Sequence, residues 1–125
     1  MALNYGDYSF TPSEAVTQFY CVKLSGNMAV DLNDTQGERC VGICQDEITA
    51  GDVTNGRIAA VRTAGGSRAV ASAAISAGAV LTSTGDGRVM TAATGDFPIG
   101  YALTAAAAAN DQLEIMLQPG AVAVA

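Results

Sequence analysis

The sequence predicts an all-β fold: a small β-barrel or sandwich of about nine short strands, built from two similar halves, with an extended N-terminal arm. Three observations lead there. Turn signals rich in Gly, Asp and Asn recur every eight to twelve residues, among them SGN (25–27), NDTQG (33–37), TNG (54–56), AGG (64–66) and TGDG (84–87). The runs between them are short and rich in Val, Ile, Leu and Thr, the residues that suit a pleated, half-buried surface. The order of strands and turns over 22–52 then returns over 80–111.

Taken in order, residues 1–16 read as the arm. Tyr5, Tyr8, Phe10 and Pro12 stand there in a polar stretch without turn rhythm. Such a segment is anchored either on its own domain or on a partner, and the sequence leaves both open. Residues 17–120 read as a single β domain and 121–125 as a C-terminal tail. Strands are expected near 18–24, 28–32, 39–46, 57–63, 68–73, 79–83, 88–92, 98–104 and 112–118. TSTGDGRVM (82–90) is the clearest hairpin, with Asp86-Gly87 supplying the positive φ angles of a tight turn. Its GDG lacks the run of carboxylates and the distal Glu of a calcium loop, so it reads as a turn.

The repeat has an offset of 58 to 59 residues: Val30 matches Val89, Thr35 matches Thr94, Gly42 matches Gly100 and Asp52 matches Asp111. The apolar segments RIAAV (57–61) and LEIML (113–117) follow in the two copies. Chance likeness between two Gly- and Ala-rich segments is the competing explanation. The repeat bears on GYALTAAAAAND (100–111), where five alanines suggest a helix. The counterpart GICQDEITAGD (42–52) is a poor helix former, so 105–109 is expected to be a connection between strands.

The chain has 125 residues, 12 acidic and 6 basic, for a net charge of −6. This balance argues against non-specific binding to nucleic acid or anionic membranes, which need a basic face. Only 14% of residues are charged, and such a small-residue surface suits packing against protein. The start, MALNYGDYSF, lacks a basic region followed by an apolar run, so no secretory signal is expected, and no apolar run is long enough to span a membrane. Cys21, Cys40 and Cys44 are an odd number and cannot all pair within the chain. On a strand Cys40 and Cys44 share a face ~13 Å apart, too far for a disulfide. All three are expected to be free, buried thiols of a protein made in a reducing cytoplasm. With no histidine and no C-x-x-C pair, neither a zinc site nor a histidine-based nucleophile is expected. The adjacent pair Asp46-Glu47 faces opposite ways on a strand and makes no acid–base dyad. No catalytic residue, cofactor site or metal site is therefore assigned.

The stretch from about 40 to 120 resembles the capsid cement, or head decoration, proteins of tailed bacteriophages. The resemblance is carried by Ile75-x-x-Gly78 before a strand, the Asp86-Gly87 hairpin, Ala-Thr-Gly-Asp at 93–96, Ile99-Gly100-Tyr101-Ala102, and Asp111 opening a last strand that ends Leu117-Gln118-Pro119. The MALN start is similar too. The resemblance implies a non-enzymatic structural virion protein on the outer surface of the capsid. It would be a homotrimer that stabilises the head by bridging major capsid protein subunits. It also implies capsid contacts from the terminal segment, here Leu3, Asn4, Tyr5, Tyr8, Phe10 and Pro12. The alternative is a β-barrel head protein or binding module that recognises carbohydrate or host-surface ligands through exposed Tyr and Asn.

Overall fold

The computed structural model describes residues 7–120 and 123–125. Among these are ten strands and one short helix. The first half holds β1 (Asp7–Pro12), β2 (Cys21–Gly26), β3 (Ala29–Leu32), β4 (Gly42–Cys44), α1 (Ala50–Thr54) and β5 (Ala59–Arg62). The second holds β6 (Gly65–Val70), β7 (Val80–Ser83), β8 (Val89–Thr91), β9 (Gly100–Ala102) and β10 (Gln112–Leu117).

The first half is a closed barrel in the order β1-β3-β2-β4-β5, with β5 pairing back onto β1. The second half, β6-β10-β9-β7-β8, repeats the circuit strand for strand. The antiparallel β2–β3, β2–β4, β4–β5 and β1–β5 pairs become β7–β8, β7–β9, β9–β10 and β6–β10. The parallel contact Pro12–Val30 that closes the barrel becomes the single parallel bridge Ala71–Val89. Connections repeat as well. Val16 bridges Ile48 as Ile75 bridges Ala106, and the positive φ of Phe19 (68°) recurs at Gly78 (85°). The two-half reading is thus correct down to hydrogen bonds.

Nine strands overlap the places the sequence gives them, most of them shortened, but β6 starts three residues before the expected 68–73 and ends at Val70, and β2 runs on to Gly26. The tenth, β1, lies inside the segment read as an arm. It pairs along its length with β5, from Asp7–Arg62 to Phe10–Ala59, and Phe10 and Pro12 are buried. From residue 7 onward the arm is therefore part of the barrel wall. The segment DYSFTP has no Val or Ile and ends in Pro, so its Tyr, Phe and Thr give only a weak strand signal. Its pairing is supplied by β5. The tail also docks: the Val124 N–H donates to Asp96 O and its carbonyl accepts from the Gly95 N–H, both at 2.8 Å.

The repeat's last step needs a shift. Ala59 faces Phe10 as Leu113 faces Ala69, so Ala59 and Leu113 are equivalent, not Arg57 and Leu113. The difference is taken up by α1, where Thr49 and Asp52 form a reciprocal capping box. In the second half Asp111 accepts from the N–H groups of Ala107 and Ala108 without a helix, so the alanine run is a connection pinned at Ala106. Short polar caps outweigh alanine's propensity here.

Two apolar cores result. Phe10, Val16, Val22, Val30, Cys44, Ile48, Ala59 and Val61 fill the first barrel. The second core includes Leu81, Val89, Ile99, Leu113, Ile115 and Leu117, and also Cys21, Cys40 and Ile43 from the first half. Cys40 and Cys44 consequently point into different cores, since β4 begins only at Gly42; the shared face expected for them is corrected.

Candidate interaction surfaces

The halves differ in one respect that matters for binding. The matching mouth of the second half, a five-stranded sheet rather than a closed barrel, is stoppered by the outer side of β2 and β4. Cys21 and Ile43 are fully buried there, and the Gln45 amide donates to the Ser67 hydroxyl at 3.0 Å. Backbone bonds lock the joint: Cys21 N–H to Gly87 O at 2.7 Å, Gly37 N–H to Ser83 O at 2.9 Å and Phe97 N–H to Gly37 O at 2.9 Å. Arg62 adds a strap across the short link, donating to the Asp7 carboxylate and to Gly66 O.

The mouth of the first barrel is open. It forms a groove of about 520 Å³ whose lining includes Tyr8, Phe10, Leu24, Met28 and Val41. Tyr8, Leu24 and Met28 are each at least half exposed. Tyr8 leans on Phe10 with ring centroids 6.5 Å apart. A second exposed apolar patch, Val80, Tyr101 and Leu103, lies on β7, β9 and the residue following β9.

The six residues expected to touch a capsid separate accordingly. Leu3, Asn4 and Tyr5 lie outside the described residues. Tyr8 is exposed at the groove. Phe10, at 5% exposure, and Pro12 are buried in the first barrel. Leu24, Met28, Val80, Tyr101 and Leu103 are exposed apolar side chains that the sequence does not single out. Each sits in an ordinary strand or turn pattern, and only the stoppering of one half and not the other sets them apart.

Several charged groups serve the fold. Lys23 pairs with Asp34 at 2.6 Å, Arg57 with Asp52 at 3.2 Å and Arg88 with Asp86 at 2.8 Å. Arg88 and the Thr84 hydroxyl hold the Asp86 carboxyl down at about 2, well below the ordinary carboxylate range. The turn closes by Thr84 N–H to Arg88 O, with Gly87 alone at positive φ (86°), so Asp86 supplies a carboxylate rather than the second positive φ expected of it. Asp46 accepts from the Ala60 N–H and Glu47 from the Gln18 N–H, so both carboxylates are committed to backbone. The three cysteines are free and buried. A hydrogen bond with Cys40, together with burial, pushes the Cys21 thiol well up, and burial raises Cys44. These thiols are packing groups rather than nucleophiles.

A family model described as phage cement protein matches residues 4–117. The chain belongs to the phage cement protein family. This cement protein is therefore a phage structural protein associated with the capsid. Its fold is similar to that of the N base of the head fiber of bacteriophage phi29, with a TM-score of 0.68 and 13% identity over 90% of this chain and 92% of that one. No curated protein matches the chain.

Proposed function

We propose that this cement protein binds the outer surface of a phage capsid as a homotrimer and stabilises the head by bridging major capsid protein subunits, without enzymatic activity. The family match over nearly the whole chain carries the reading. The chemistry fits: the Asp46 and Glu47 carboxylates are committed to backbone and the thiols to the core, and large apolar side chains stand exposed. The N-terminal segment, with Leu3, Asn4 and Tyr5, is the contact to the capsid. Three copies held together engage three sites at once, so modest contacts add into strong avidity. Synthesis takes place in the host cytoplasm.

Among the described aromatics only Tyr8 and Tyr101 are exposed, and they stand in different halves, so the sugar-binding reading gains no shared stacking cleft. The test mixes purified protein with undecorated expanded heads and follows their thermal disruption. Binding with a raised disruption temperature is expected. Absence of both removes the proposal, and specific glycan-array hits would favour the alternative.

A further inference from the structure

The internal repeat assigns partners to the two exposed apolar patches. Strand register makes Cys21 equivalent to Val80 and Ile43 to Tyr101, because Cys21 faces Ile43 on β2–β4 as Val80 faces Tyr101 on β7–β9. Gln45 is equivalent to Leu103, since their N–H groups donate to Ala60 O and Glu114 O at matching places. On the other side of the joint, Ser83 corresponds to Leu24, Ser67 to Tyr8 and Gly87 to Met28. The first match follows from Leu24–Val30 against Ser83–Val89, the second from Tyr8–Val61 against Ser67–Ile115, and the third from the positive φ shared in the hairpin.

Burial inverts across these matches, with Gln45 half-buried against an exposed Leu103. Within the chain the first half's stopper (Cys21, Ile43) is at 0% exposure, and the second half's mouth (Ser67, Ser83, Gly87) is buried. The second half's stopper stays exposed, with Val80 at 47%, Tyr101 at 37% and Leu103 at 44%, and the first half's mouth is an open groove. One chain thus displays both sides of a joint it has already made once internally. The unused sides are more apolar than the used ones: Val, Tyr and Leu in place of Cys, Ile and Gln, and Tyr, Leu and Met in place of Ser, Ser and Gly.

We propose that the Val80–Tyr101–Leu103 face of one copy seats in the Tyr8–Leu24–Met28 mouth of the next, repeating between chains the joint that packs the halves within a chain. The occupant of each patch is a second copy of this chain. The joint is head-to-tail, with different surfaces on its two sides, and such contacts close into a ring when their rotation permits. The number of copies, three, rests on the homotrimer reading above; the joint itself rests on the repeat. By equivalence with the internal joint, Val80 lies against Leu24 and Met28, and Leu103 takes the place of Gln45 and packs on Tyr8 of the neighbour.

The test uses two single variants, Val80→Asp and Leu24→Asp, both at exposed positions where folding survives, as checked by circular dichroism. Wild-type protein is expected to sediment as a trimer. Each variant alone is expected to need at least about tenfold higher concentration to associate, because a charge is buried unpaired. An equal mixture is expected to recover a dimer, since one variant keeps an intact mouth and the other an intact stopper. A joint made from one self-complementary patch gives no recovery in the mixture, and that result overturns the proposal. Where wild type is monomeric in solution, the double variant Leu24→Cys/Val80→Cys is oxidised on decorated heads. A ladder of disulfide-linked chains is expected, and its absence both in solution and on heads overturns the joint. A ladder in solution with no binding to heads removes the capsid reading and leaves the joint standing.

Discussion

Gly42 and Gly100 hold one place in the two halves, each with its Cα pressed against a carbonyl of the closing strand. A side chain on Gly42 would run into Arg62 O, and one on Gly100 into Met116 O. No other side chain lets β4 approach β5, or β9 approach β10, at this point. The repeat is therefore held by a steric demand as well as by hydrophobic pattern.

Gly42→Ala should cost about 2–3 kcal/mol, because backbone rather than a flexible side chain has to give. Gly100→Ala should cost more, since its φ of 149° adds strain of about 1 kcal/mol. Gly95, at φ 93° with open space around it, is the control, and Gly95→Ala should show the strain alone. Urea denaturation midpoints check the order Gly100 > Gly42 > Gly95, and equal midpoints for all three would refute it.

The barrel position of β1 changes what an N-terminal truncation does. From the sequence, removal of residues 2–12 leaves a folded domain; in the structure it strips the strand that closes the first barrel. Phe10→Ala should destabilise by about 3–5 kcal/mol. Tyr8→Ser should stay within about 1 kcal/mol while impairing association. Parallel denaturation and sedimentation of the two variants separate core from surface, and a Phe10 variant of unaltered stability would contradict the assignment.

The Asp86–Arg88 pair predicts a weak acid limb. Asp86 titrates near 2 when folded, against an ordinary value of 3.8, mainly through the hydrogen bond from Arg88. A depressed carboxylate stabilises the fold above the ordinary value and loses that contribution as pH falls toward 2. Asp86→Asn should remove the contribution at neutral pH, and Arg88→Ala should move the carboxyl midpoint up toward 3.8. Carbon-detected NMR titration of the Asp86 carboxyl reads this directly, and an unmoved midpoint in Arg88→Ala would exclude Arg88 as the cause.

The sequence by itself determined the strands that carry Val, Ile and Leu, the turns that carry Gly and Asp, and the repeat that relates them, because those signals are local. It also placed the chain among cement proteins through turn-and-strand motifs. Only the tertiary structure decided the fate of DYSFTP, whose strand exists because β5 offers a free edge. Tertiary packing likewise separated Phe10 from Tyr8, two aromatics on one side of one strand, by burying the first in the barrel and leaving the second at its mouth. And it alone distinguished Ile43 from Tyr101. The two stand at equivalent positions in equivalent strands, and they differ because the second half covers the Ile43 face, whereas the described residues leave the Tyr101 face exposed.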